Sequence, residues 1–105
     1  MKPKTPKTGP AWQKQLDELA TAMHTLPDWE SLRAFLLDLC TPAELQAMAD
    51  RWQVVRLLQQ GLSYRVIQEK TGVSVTTIGR VARFVELGNG GYQAALKQTG
   101  NKNSS

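Results

Sequence analysis

Apolar residues recur at three- and four-residue steps through most of the chain, and that period predicts helices. Trp12, Leu16, Leu19, Ala20 and Met23 share one stripe, which "LPD" at 26–28 interrupts. Asp28 is placed to cap a second helix carrying Trp29, Leu32, Phe35, Leu36 and Leu39 on its apolar side. "TPAE" at 41–44 marks a third start: Thr41 is a good N-cap, Pro42 suits the first helical position and Glu44 can complete a capping box. The stripe that follows is Leu45, Met48, Ala49, Trp52, Val55 and Leu58, and Gly61 ends it where a left-handed residue is wanted. Ser63 caps a shorter helix from about Tyr64 to Thr71, Gly72 breaks it, and Ser74 starts another from about Val75 to Leu87. "GNGGY" at 88–92 is a turn, and a last helix is expected from Tyr92 to about Gln98. No segment alternates apolar and polar residues for long enough to predict a strand, so the expected class is all-α.

Two short helices joined by a tight glycine turn, the second with a polar outer face, describe a helix-turn-helix, here over about 63–86. Ile67 and Val73 point inward across the turn, and Ile78 and Val81 pin the second helix. At about 100° per residue, Val75, Val81, Ala82 and Val85 fall within about 60° of Ile78, while Thr76, Arg80 and Arg83 fall within about 40° of the opposite pole. Arginine can make bidentate contacts with guanine, and threonine can meet a base edge or a thymine methyl. Gly79 leaves room for close approach, and Ser74 and Thr77 near the helix start could bond phosphates. With Arg65 on the preceding helix, these residues form the candidate surface for double-stranded DNA. A generic hairpin with a solvated arginine face is the bland alternative.

The charge distribution strengthens the anion reading. The chain has 105 residues and a formal net charge of +4, all of it equal to the four lysines of the two tails, Lys2, Lys4, Lys7 and Lys102. Residues 11–50 carry two basic against seven acidic side chains, and residues 51–86 carry six basic against two acidic ones. An acidic half followed by a basic half suggests that the second half meets a polyanion. "MKPKTPKTGP" has three prolines, three lysines and no large apolar residue beyond Met1, so residues 1–10 are expected to be a disordered basic arm. Residues 11–98 form the expected helical domain, and residues 99–105 a frayed tail.

Other chemistry is sparse. Cys40 and His24 are single, so an intramolecular disulfide and a cysteine-based metal site are excluded, and no metal is expected. No nucleophile–base pair or phosphate-cradling glycine loop is present, and "GNGG" follows a helix rather than a strand, so no catalytic residues and no enzyme are expected. No apolar run approaches ~20 residues, and no apolar segment follows the basic N-terminus, so no membrane partner and a cytoplasmic location are expected. Trp12, Trp29 and Trp52 lie on apolar stripes and are assigned to core or dimer packing.

Taken together, "LCTPAEL", "GLSYRVIQEKTGVS", "TTIGRV" and "GNGGY" resemble the Trp repressor superfamily, and "LGNGGYQAAL" is similar to its YerC/YecD branch; the resemblance covers roughly residues 29–96. It implies an intertwined homodimer with two helix-turn-helix units, reading a roughly palindromic site with half-sites about one helical turn apart. In the family's namesake, two arginines hold a tryptophan corepressor beside small residues of the reading helix. Arg51 and Arg80 occupy the positions of those arginines, and Thr41 matches a residue lining the same pocket. Val81 and Phe84 stand where the namesake has glycine and serine. Both add bulk, and the Phe84 ring is expected to fill the pocket, which argues against L-tryptophan and leaves no cofactor expected. The leading expectation is a dimeric DNA-binding regulator that represses transcription. The alternatives are a protein-interaction module on the same fold, or a repressor that needs a tryptophan-like corepressor.

Overall fold

The computed structural model describes residues 9–103, with side chains described as far as Gly100. Among these residues there are six helices and no strand: α1 (Gly9–His24), α2 (Trp29–Leu39), α3 (Pro42–Gln59), α4 (Tyr64–Thr71), α5 (Val75–Leu87) and α6 (Gly91–Asn103). The chain falls into two compact units, one up to Thr41 and one from Pro42 onward.

The first unit holds α1 and α2. Pro10 sits in the first turn of α1, where its missing N–H removes no helical bond. Helix α1 therefore starts at Gly9, within the stretch that composition assigned to an unstructured arm; the remaining arm residues, 1–8, lie outside the described residues. Asp28 caps α2 as expected, in extended backbone, accepting the Ser31 N–H at 2.8 Å. Hydrogen bonds from the Ser31 side chain and backbone hold the Asp28 carboxyl below its ordinary pKa. A carboxylate depressed in the fold contributes stability above its unfolded pKa and loses it as pH falls through the folded value. The secondary chemical shifts of residues 29–32 should therefore move toward coil as pH drops below the ordinary aspartate range. Asp28→Asn, which keeps an acceptor oxygen, should abolish that titration; a wild-type first turn that stays helical throughout would refute the capping role.

No residue of α1 or α2 is buried. Trp29 is 69% exposed, and Leu16, Leu19, Leu37 and Leu39 are exposed too. Of the two stripes read from the sequence, Trp12, Met23, Leu32, Phe35 and Leu36 are half-buried, while Leu16, Leu19, Trp29 and Leu39 stay exposed.

The second unit carries the core. Val54, Val55, Ile67, Val73, Ile78 and Val81 are buried, with Trp52, Leu57, Leu58, Leu62, Val85, Tyr92 and Leu96 packed around them. Helix α3 contacts both α4 and α5, α4 contacts α5, and α6 contacts α5. Two partner helices explain why the burial on α3 differs from the single stripe in the sequence. Val54, off that stripe, is fully buried beside Val55, about 100° around the helix. Met48, on the stripe, is exposed. Gly61 adopts φ +83, and the amides of Gly61 and Leu62 turn back to the Leu58 and Leu57 carbonyls at 2.9 and 3.3 Å. That left-handed closure, cheap only for glycine, aims the chain into α4.

Gly88 closes α5, its N–H donating to the Phe84 carbonyl at 3.0 Å. A Cβ at Gly88 would collide with that same carbonyl oxygen. The Gln93 side-chain amide then donates to the Val85 carbonyl at 3.0 Å, tying α6 to the end of α5. Helix α6 runs on to Asn103, past the end expected near Gln98 and into the stretch expected as a tail, of which residues 104–105 lie outside the described residues. The Thr99 hydroxyl donates back to the Ala95 carbonyl at 2.9 Å, so this polar residue joins the helix instead of competing with it.

Candidate nucleic-acid interface

The turn between α4 and α5 is built by short-range bonds. The Ser63 hydroxyl accepts the Val66 N–H at 3.2 Å and opens α4. Gly72 closes it at φ +76, with its N–H on the Gln68 carbonyl at 2.8 Å. Thr71 stitches the corner: its hydroxyl donates to the Ile67 carbonyl at 2.7 Å and accepts the Val73 N–H at 3.0 Å. Val73 is thereby pressed into the core, 9% exposed. Ser74 then caps α5, accepting the Thr77 N–H at 3.2 Å. The helix-turn-helix read from the sequence is thus present, with caps and turn at the anticipated residues.

On α5, Ile78 and Val81 are buried, whereas Thr76, Arg80 and Arg83 are exposed. Among the described residues neither arginine makes a hydrogen bond or ion pair. Arg65, second residue of α4, is exposed as well. Three details differ from the helical-wheel expectation. Val75, grouped with the inner residues, is 47% exposed, because the first turn of α5 overhangs the edge of the core. The Ser74 hydroxyl donates to Thr77 Oγ1 at 3.1 Å, so its hydrogen is engaged in the cap; Thr77 retains a hydroxyl hydrogen and is half-buried. Gly79 is not open on all sides: a Cβ built there would lie 3.9 Å from Cε2 of Tyr64.

Beside this face, Arg51, Thr77, Arg80, Val81, Phe84 and Tyr92 line a hollow of about 310 Å³. Arg51 on α3 and Arg80 on α5 are thus brought to one concavity, as expected. Thr41 belongs to the other unit. Phe84 lines the same hollow and is 51% exposed. It is directed toward the α5–α6 junction, where it also lines a second hollow with Asn89, Gly91 and Tyr92. The sequence marks Tyr92 only as the start of the last expected helix. The glycine-rich turn before it is the one local signal that it is delivered back against α5. No group of three or more His, Cys, Asp and Glu suited to a metal occurs among the described residues, and no helix among them is long and apolar enough to cross a membrane.

The sequence model of the Trp repressor protein family matches residues 14–100. This chain belongs to the Trp repressor family. It is 41% identical over 95 residues to the uncharacterized protein YerC of Bacillus subtilis (strain 168), covering 88% of this chain and 91% of YerC. Two crystal structures of family-like proteins share the fold. One is a candidate Trp repressor from Staphylococcus aureus, with TM-score 0.76 and 38% identity, covering 83% of this chain and 87% of that one. The other is a TrpR-like protein from Eubacterium eligens ATCC 27750, with TM-score 0.77 and 33% identity, covering 83% and 90%. Within this family, the arginine-bearing outer face of α5 and the hollow beside it are the two features with chemistry to offer.

Proposed function

We propose that this chain is a sequence-specific DNA-binding transcription repressor, acting as a homodimer on a palindromic operator through α5. The observation that carries the reading is the polar face of that helix: Thr76, Arg80 and Arg83 stand exposed, the arginines without partners among the described residues, on a helix whose other side is locked into the core. Base edges in the major groove are read by such groups, and phosphate contacts from Thr77 and Arg65 set the register. The uncovered apolar residues of α1 and α2, Trp29 and Leu39 among them, support pairing with a second copy, since so much exposed apolar surface is costly on a lone small domain.

A second reading rests on the hollow. Arg51 and Arg80 both line it, and a pair of guanidinium groups suits a small carboxylate-bearing effector of tryptophan's kind. One experiment addresses both: recovery of genomic fragments by the purified protein, with and without L-tryptophan, at near-physiological salt. Enrichment of one palindromic motif in both conditions supports an effector-independent repressor. Enrichment only with tryptophan supports the corepressor reading. Enrichment in neither condition refutes both and favours the protein-interaction alternative.

The basic arm has its own signature. Each phosphate neutralised contributes about 0.9 to the slope of log K against log salt concentration. Deleting residues 2–8, which removes Lys2, Lys4 and Lys7, should make that slope shallower. An unchanged slope would take the arm out of the interface.

A further inference from the structure

The Tyr64 ring stands beside Gly79, where a Cβ would lie 3.9 Å from its Cε2, and nothing in the helix-turn-helix reading uses that neighbourhood. Tyr64 is the first residue of α4 and is 42% exposed. Its hydroxyl makes no hydrogen bond to a described residue. The contact places the ring at a definite place on α5. At about 100° per residue, Gly79 lies about 40° around the helix from Arg83 and about 60° from Thr76. Tyr64 therefore borders the polar face on its Arg83 side, and Phe84 and Thr77 border the opposite flank. A methyl at position 79 would meet the ring at ordinary van der Waals distance, 3.9 Å, so a larger side chain there is expected to crowd it.

Building on the DNA-binding reading, we propose that Tyr64 is a positioning residue for DNA. Its hydroxyl donates to a backbone phosphate at the wall of the groove that α5 enters, and the side-chain-free strip at Gly79 seats the ring. A phenol is suited to this: the rigid ring holds the donor at fixed reach, and the neutral O–H meets an anionic oxygen in a charge-assisted bond. A phosphate contact fixes register without reading sequence. The reading surface thus spans both helices, and residues 64 and 79 act as one unit.

The test uses the full-length protein and the duplex recovered in the genomic selection, with an unrelated duplex as control. Tyr64→Phe keeps the ring and its packing and should weaken binding about tenfold, the scale of one hydrogen bond to a charged group. Three features separate this from a structural role. The loss should be equal for operators with single-base changes, since no base contact is removed. The salt slope should be unchanged, because a neutral donor releases no counterion. Gly79→Val, which crowds the ring, should lose at least what Tyr64→Phe loses, and the two losses should be less than additive in the double variant. Unchanged affinity for Tyr64→Phe, while the wild type binds its operator, overturns this proposal and leaves the DNA-binding reading standing. A wild type that recovers no DNA overturns both. Full additivity of the two substitutions would overturn the coupling through Gly79.

Discussion

Replacing Ile78 by alanine is expected to destabilise the protein by about 2–5 kcal/mol, the range for truncating a large core residue. Ile78 is 0% exposed and sits among Val54, Val55, Ile67 and Val81, where α3, α4 and α5 meet. Few other buried side chains are available to close the cavity, and a small domain has only about 5–15 kcal/mol to lose. Because α5 carries the polar face on its opposite side, the same substitution should loosen the presentation of Arg80 and Arg83. Urea unfolding measures the effect as a lower midpoint at constant slope. Leu87→Ala provides the contrast: Leu87 is 73% exposed, and truncating it should change monomer stability little. If the folded state is an obligate dimer, both midpoints rise with protein concentration, so the comparison belongs at matched concentrations. An Ile78→Ala loss below about 1 kcal/mol would mean that this cluster is not what holds α5.

Much of this architecture was legible one residue at a time, because short-range chemistry decided it. Ser63, Ser74 and Asp28 announce helix starts, since each offers an oxygen to an otherwise unpaired N–H three residues on. Gly61 and Gly72 announce ends, since each must take positive φ. What stayed hidden depends on partners distant in sequence. Val54 is buried because α3 receives two helices, and a one-stripe reading cannot foresee the second. Val75 has the right angle but lies too near the helix start to reach the core. The surroundings of Phe84 depend on where α6 begins, which only the folded chain determines. The Tyr64–Gly79 contact joins residues 15 positions apart and has no local signature.

The second large effect belongs to the polar face itself. Arg80→Ala combined with Arg83→Ala is expected to abolish specific binding while leaving the fold intact. If each arginine makes one bidentate base contact worth about 1–3 kcal/mol, the pair contributes roughly 30-fold to 10⁴-fold in affinity for one half-site. Stability should hardly move, because both side chains are exposed and unpaired within the described residues. Electrophoretic mobility or fluorescence anisotropy with the selected operator reads the first effect, and urea unfolding reads the second. The single substitutions assign roles, because Arg80 also lines the hollow and Arg51 faces it from α3, away from the reading helix. Arg83→Ala should relax the base preference at one operator position in each half-site. Arg51→Ala should leave affinity unchanged if the hollow takes no ligand, and should remove tryptophan dependence if it does. Arg80→Ala then shows which task that guanidinium serves: a loss equal with and without tryptophan places it on DNA, and a loss only of the tryptophan response places it on the ligand. A double variant that still binds its operator as tightly as wild type would move the contact surface off this face of α5. The exposed arginines would then be better explained by docking to an acidic protein.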